Sequence, residues 1–358
     1  MTDPVRVAYT LEQCWHDVPG GTAVATLRVL DELLHRDDVE LVAVAGRHRR
    51  APAAAFRPPV DVERLPLARP WLYEAWNRFE WPRVERATGA VDVCHSTIAI
   101  PAATRSPHVV TVHDVAFVHT PDRFTGHGAR VMAAGLERCR RAALVLCPTR
   151  ATADDLTELG FDAGRIRIVP WGVDHIVPTT DDLDRVRRRH DLPEHFVLFV
   201  GTIEPRKNLT RLAEAVARLD APMPLVVAGA SGWGDVEVTA DADVRFVGFV
   251  PHGDLHALYA QADVFAYPSL QEGFGMPILE AMATGTPVVT SRGGATEEAA
   301  DGAAVLVDPT DVDAIAAGLS EALERRDDLV AAAHRRATRA TWAAAADATV
   351  AAYREASG

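Results

Sequence analysis

The sequence predicts an α/β protein built from two parallel sheets, each flanked by helices. Three observations carry this. A chain of 358 residues is longer than one hydrophobic core usually supports. Short β-rich runs alternate with helix-period segments, the signature of parallel βαβ units. The alternation lapses once, around residues 179–192, and then resumes. Two such series imply two Rossmann-like parallel-sheet domains facing a central cleft, with ligands at the carboxyl ends of the strands.

The first series predicts strands at 5–10, 39–45, 91–95, 109–113, 144–148 and 166–169. Between the first two, Ala23, Leu27, Leu30 and Leu34 fall on one face of a helix over 23–34. Residues 179–192 combine a Thr-Thr-Asp-Asp lapse with a basic run ahead of Pro193, and read as a linker. The second series predicts strands at 196–200, 225–228, 244–247, 264–267, 287–290 and 303–307, with helices at 209–219, 255–260 and 277–283. An Ala-rich helix over 341–356, carrying Trp342 and Tyr353, closes the chain. The domains are therefore expected at 1–178 and 193–340, with 179–192 as linker and 341–358 as a terminal helix. No repeat of solenoid period and no low-complexity linker occurs.

Composition narrows the function classes. No apolar run approaches the ~18 residues that cross a bilayer. The start, MTDPVRVAY, reads directly as a strand with no cationic and apolar leader, so the chain is expected in the cytoplasm. Cys14, Cys94, Cys139 and Cys147 have no Cys-x-x-Cys spacing and are expected as reduced thiols. Residues 1–178 carry 21 Arg against 22 Asp plus Glu, whereas 179–358 carry 16 basic against 28 acidic residues. The strongly acidic second half argues against a nucleic-acid partner, which needs an extended basic face. Local basic clusters such as Arg47 to Arg50 leave a weak peripheral contact with the inner membrane face open, though a solvated face is their ordinary reading.

The most informative stretch is residues 272–285, EGFGMPILEAMATG. Glu272 sits in a Gly-rich turn and Glu280 eight residues on, inside the helix that the turn opens. Pro277 suits a first helical turn, where a missing N–H costs nothing. Backbone amides at that helix start, around Phe274, Gly275 and Met276, attract an anion such as a diphosphate. A carboxylate that accepts two hydroxyl hydrogen bonds grips a diol with charge-assisted strength. Anion site and diol grips together describe a ligand with phosphates and many hydroxyls, a nucleotide-sugar. Lys207 is the chain's sole lysine and follows Arg206 just after the strand 196–200. A compact ammonium enters a phosphate pocket where a planar guanidinium does not fit.

These residues resemble the Glu-x7-Glu signature of the family 4 retaining glycosyltransferases, which have the GT-B fold. The resemblance extends through PVVTS at 287–291, Gly293, Gly294 and Glu297, and upstream through GTIEPRKN at 201–208, and spans essentially the whole chain. It implies that Arg206 and Lys207 hold the donor diphosphate, Glu272 the donor-sugar hydroxyls and Glu280 the ribose. It also implies that the last helix crosses back to the first domain. The TVHDVAF segment at 111–117 with Thr120, Pro121 and Asp122 looks like bacterial mannosyltransferases of polysaccharide assembly, which points to GDP-mannose; UDP-glucose and UDP-N-acetylglucosamine donors carry the same motifs. The acceptor is not readable from the sequence: a glycan, lipid-linked or small-molecule acceptor is expected, with lipid-linked glycan, small alcohol and antibiotic aglycone all open. No cofactor and no bound metal are expected. Two other classes stay open: a GT-B epimerase or phosphorylase, and a non-catalytic nucleotide-sugar-binding subunit of an assembly complex.

Several further features need weighing. Gly20 and Gly21 precede a helix expected from about Thr22 and resemble the family's glycine pair at donor phosphate or acceptor. His113 ends a predicted strand, where the family often places a histidine near the donor sugar; His95 is a weaker parallel. His252 and His256 stand at zinc-binding i, i+4 spacing, but no third ligand is evident and a solvated helix start is the ordinary reading. Asp241 with Asp243, and Asp311 with Asp313, mimic a metal-binding Asp-x-Asp outside the motif cluster. Trp71, Trp76 and Trp81 lie among Arg78, Arg83 and Arg86, as helix packing or as an aromatic surface for an acceptor.

Overall fold

The computed structural model describes residues 3–16, 19–119, 126–230, 238 and 241–358; Thr120, Pro121 and Asp122 of the mannosyltransferase-like segment lie outside them. The chain divides into two compact units, Met1–Gly172 with Trp342–Gly358, and Val173–Thr341.

The first unit runs β1 (Val5–Thr10), α1 (Gly20–Leu34), β2 (Val39–Ala45), β3 (Val62–Arg64), α2 (Trp71–Phe79), α3 (Glu85–Thr88), β4 (Val93–Ser96), β5 (His108–Thr111), α4 (Ala116–His119), α5 (Gly126–Cys139), β6 (Leu144–Cys147), α6 (Arg150–Glu158) and β7 (Ile166–Ile168). All seven strands are parallel, in the order β3-β2-β1-β4-β5-β6-β7. Strand order reverses between β1 and β4, which makes their carboxyl ends the place where a ligand crevice opens. The central strands are uniformly buried, as continuous β-branched runs require when helices cover both faces. All four cysteines are buried and none forms a disulfide among the described residues. Strand β3, only three residues long at the sheet edge, escapes the sequence reading because its Val-Glu-Arg is mostly exposed and shows no apolar run.

The second unit runs α7 (Thr180–His190), β8 (Val197–Val200), α8 (Leu209–Val216), β9 (Leu225–Ala228), β10 (Val244–Gly248), α9 (His252–Tyr259), β11 (Val264–Tyr267), α10 (Met276–Ala283), β12 (Val288–Ser291), α11 (Gly294–Ala300), β13 (Val305–Val307), α12 (Val312–Glu324) and α13 (Arg326–Arg339). Its six parallel strands take the order β10-β9-β8-β11-β12-β13, with the reversal between β8 and β11. At the end of β9 the backbone packs against the end of β8: a Cβ on Gly229 would lie 1.9 Å from the Gly201 carbonyl oxygen, so only glycine fits.

The stretch 179–192, expected as a linker, is mostly α7. It lacks an apolar stripe, burying only Val186, which is why the pattern reads as a lapse. Its start is fixed instead by a capping box, in which the Thr179 hydroxyl accepts from the Asp182 amide and the Asp182 carboxylate accepts from the Thr179 amide. Acidic residues in the first turn and basic ones in the last complement the helix dipole. Arg185 and Arg189 then fasten α7 to Asp254 on α9 at 2.8 and 3.0 Å.

The last helix, α14 (Trp342–Ser357), belongs to the first unit. Tyr353 on it is fully buried, and its hydroxyl lies 2.7 Å from His95 Nδ1.

Candidate functional site

In the second unit the sheet order decides which loops meet. Strands β8 and β11 are neighbours at the reversal, so the turn after β8 and the loop after β11 emerge side by side. The first carries Glu204, then a single 3-10 turn over Pro205–Lys207; the second carries Tyr267 to Glu272. Asn208, in a left-handed conformation, ties the two by donating from Nδ2 to the Pro268 carbonyl at 3.0 Å and to the Pro309 carbonyl at 2.6 Å. The Leu270 amide donates to the Arg206 carbonyl at 2.8 Å.

Three of the predicted residues come together here. Lys207 Nζ donates to Glu272 Oε1 at 2.6 Å, and Arg206 Nη1 donates to Glu272 Oε2 at 2.7 Å. Arg206 also pairs through Nη2 with Glu204 Oε1 at 2.6 Å and reaches the Gln271 carbonyl at 3.0 Å. Lys207 further donates to the Tyr267 hydroxyl and lies over that ring, 4.7 Å from its centroid. Burial alone would raise the Glu272 carboxyl, but Lys207 and Arg206 beside it bring it down to about 2. Burial lowers Lys207 from its ordinary value, and Glu272 opposes that. Glu272 is therefore ionised and holds two cations, one sunk to 7% exposure and one, Arg206, at 25% and reachable. Glu272 and Glu204 balance the two cations in charge, but Lys207 and Arg206 keep N–H donors beyond these bonds, and at the carboxyl edge of a parallel sheet those donors are equipped to receive an anion.

Glu280 sits eight residues on, on α10, and does not join that cluster. It is buried on the helix face, where Oε2 accepts from the Tyr259 hydroxyl at 2.9 Å. Burial raises its carboxyl, with the Tyr259 hydrogen bond opposing. Gly275 caps α10 at φ +95° without a side-chain acceptor, and Pro277 stands in the first turn. The Phe274 and Met276 side chains are buried in the core, so what these residues offer a ligand is backbone. Phe246 and Phe249, flanking the irregular end of β10, are 53% and 71% exposed.

The first unit holds the other predicted residues. Helix α1 starts at Gly20, two residues before the expected start, so Gly20 and Gly21 form its exposed first turn rather than a loop ahead of it. Gly20 has φ +63°, which no bulkier residue adopts cheaply. At the β1/β4 reversal, Thr97 Oγ1 donates to the Thr10 carbonyl at 2.6 Å and Gln13 Nε2 donates to Thr97 Oγ1 at 2.6 Å. His113 lies two residues beyond β5, with Nε2 2.8 Å from the Thr97 carbonyl. A carbonyl only accepts, so Nε2 carries the proton and Nδ1 is left with its lone pair, buried and without a partner among the described residues. Burial lowers the His113 pKa, which keeps the ring neutral. Beside it a cavity of about 30 Å³, lined among others by His95, Thr97, His113 and Trp171, has room for a water-sized group. His95 is a structural residue: Nδ1 meets Tyr353, Nε2 meets the Thr111 hydroxyl, and burial, with His108 and His113 nearby, pushes its pKa down to about 3.

Sequence reasoning missed Glu204, Asn208, Tyr259 and Tyr267. Glu204 and Asn208 lie within the 201–208 motif, but the tyrosines gave no signal of their own. The Asp-x-Asp pairs have other work: Asp243 pairs with Arg245 at 2.8 Å, and Asp311 caps α12 by accepting from the Asp313 and Ala314 amides. Of the three clustered tryptophans, Trp76 is core and donates to the Pro82 carbonyl at 2.9 Å, whereas Trp71 and Trp81 are 70% and 47% exposed. His256 is buried rather than solvated, at 2% exposure.

Residues 19–176 match the family described as Glycosyltransferase Family 4, and residues 181–340 match Glycosyl transferases group 1. The chain is 33% identical to the O-antigen chain mannosyltransferase B of Escherichia coli over 78% of this chain and 75% of that protein. It is 32% identical to a D-inositol 3-phosphate glycosyltransferase of Stackebrandtia nassauensis over 97% of this chain and 89% of that one. Among solved structures, Anabaena Alr3699/HepE, crystallised in complex with UDP and glucose, superposes with a TM-score of 0.72 at 19% identity, covering 97% of this chain and 98% of that one.

Proposed function

Since this chain belongs to the family 4 glycosyltransferases, of GT-B fold, we propose that it moves a mannosyl group from GDP-mannose to a glycan, lipid-linked or small-molecule hydroxyl, with retention at the anomeric carbon. The observation that carries this is the joint grip of Glu272 on Arg206 and Lys207. Transfer leaves a nucleoside diphosphate, and the negative charge that builds on its leaving oxygen is what Lys207 and Arg206 neutralise. Because Glu272 already holds both cations in place, they need no reorganisation as that charge develops. Each Glu272 oxygen retains acceptor capacity beyond its ion pair, so the same carboxylate receives sugar hydroxyls. Glu280, deep on α10 and aligned by Tyr259, accepts the ribose diol. The open first turns at Gly275 and Gly21 present amides to phosphate or acceptor. His113 accepts a substrate hydroxyl at Nδ1, the one ring nitrogen left with a lone pair.

The acceptor's proton goes to a donor phosphate oxygen, and the chain contributes orientation and charge stabilisation without a protein nucleophile. Support for mannose comes from the name of the Escherichia coli relative, and from the motifs at 111–117 and 201–208. Proton NMR of the sugar released by slow hydrolysis of GDP-mannose tests the stereochemistry. The α anomer appearing first agrees with retention; the β anomer first contradicts it.

No helix among the described residues is long and apolar enough to cross a membrane. We propose instead a weak peripheral contact through Trp71, Phe79 and Trp81, which are 70%, 74% and 47% exposed. Co-sedimentation with anionic vesicles should fall in a Phe79→Ser, Trp81→Ser variant. Equal sedimentation of the variant and the parent protein would remove this contact.

A further inference from the structure

The second unit brings together three metal-ligating side chains beside Glu280, whose carboxyl feels the charges of His252 and Asp174. Asp174 lies on the segment leading into α7, and His252 and His256 occupy one face of the first turns of α9. One ligand atom from each lies within 4.8 Å of the others. His252 Nε2 is 3.3 Å from Asp174 Oδ2, and the two imidazoles meet edge to face at 5.4 Å between centroids and 70° between planes. Two donor atoms that share a tetrahedral metal at bond lengths of ~2.0–2.1 Å stand roughly 3.3 Å apart, so the Asp174–His252 separation already has the length of a coordination edge. The carboxylate on α9 itself, Asp254, is engaged by Arg185 and Arg189.

We infer that Asp174, His252 and His256 form a binding site for a borderline divalent transition metal, zinc in the first instance. The set is one carboxylate and two imidazoles, a nitrogen-rich donor group that favours zinc, cobalt or nickel over magnesium or calcium. His256 is buried at 2% exposure, while Asp174 and His252 are at 17% and 35%, so the fourth position opens outward to a water. The ion fastens the segment at Asp174 to α9. One turn further along α9, Tyr259 holds Glu280, so metal occupancy steadies the helix that aligns this carboxylate. The ion is a positioning element, without a step in the transfer.

The test uses untagged, EDTA-stripped full-length protein. Cobalt(II) titration should give the intense visible bands of a tetrahedral site at one equivalent, and zinc calorimetry should give the same stoichiometry with a rise in Tm. Asp174→Asn and His252→Gln replace partly exposed side chains, and circular dichroism reports whether each is folded; each removes a ligand and should weaken binding by at least the roughly 10–100-fold that losing a partner of a ligand costs. His256→Ala should do the same. Absence of cobalt bands in the parent protein overturns the inference. So does equal affinity in the parent and in folded Asp174→Asn and His252→Gln, which would place the metal on other histidines.

Discussion

Lys207 Nζ lies 2.6 Å from Glu272 Oε1, with both side chains buried and 65 positions apart in the sequence. Desolvating two charges is expensive, and an apolar pair of similar volume would serve stability as well or better. The pair makes sense as a pre-set charge arrangement for an anionic substrate, with Arg206 as its reachable edge.

Lys207→Ala should lower kcat/KM by about 10²–10³-fold, the scale of losing one fixed donor to a developing charge. Stability should fall less, because Arg206 still holds Glu272. Lys207→Arg should not restore activity, since a planar guanidinium does not occupy the place of an ammonium packed on Tyr267. Steady-state rates beside a thermal melt decide this; near-parental turnover of Lys207→Ala would remove the phosphate role.

Glu280→Gln should weaken nucleotide binding by roughly 10- to 150-fold, from the loss of charge-assisted bonds worth about 1.5–3 kcal/mol. Burial raises the Glu280 carboxyl, so in the parent protein affinity should fall with decreasing pH earlier than an ordinary glutamate would dictate. The variant should lack that dependence. Unchanged affinity measured by calorimetry across pH would take the ribose away from this residue.

His95 and His108 both stand at about 3, pushed down first by burial, against an ordinary 6.5. Between those values the unfolded chain binds protons that the folded chain excludes, so stability is full above 6.5 and declines as pH falls toward 3. Each contributes a slope of about 1.4 kcal/mol per pH unit. Urea unfolding at a series of pH values should show His108→Gln with a slope one proton shallower than the parent. Parallel slopes would contradict the burial argument.

Thr179→Ala should destabilise α7 by about 1 kcal/mol through loss of the capping box. Hydrogen exchange should speed up in residues 180–190 first. Uniform exchange rates would mean that the ion pairs to Asp254, not the cap, hold the helix.

The chemistry-bearing residues were legible where the sequence itself was unusual. A lone lysine after Arg206, and Glu272 ahead of a Pro-started helix, point to the cluster that forms, whereas Glu280 lies apart from it on Tyr259. Tyr267 and Tyr259 were not legible, because their roles follow from strand order, and only the β8–β11 adjacency brings Tyr267 against Lys207. Helix α7 was misread for the opposite reason: its stability rests on caps and salt bridges, which leave no hydrophobic period. Asp174 as a companion to His252 and His256 was equally hidden, since 78 residues separate it from the nearer histidine.

The most direct test of the central claim is a donor panel. GDP-mannose, UDP-glucose, UDP-N-acetylglucosamine and dTDP-sugars are each titrated by calorimetry, and each is followed for slow hydrolysis with EDTA present, in the parent protein and in Lys207→Ala. GDP-mannose should bind and be slowly hydrolysed by the parent protein, and Lys207→Ala should lose the hydrolysis. No binding of any donor at millimolar concentration, or hydrolysis that survives the loss of Lys207, would contradict that claim.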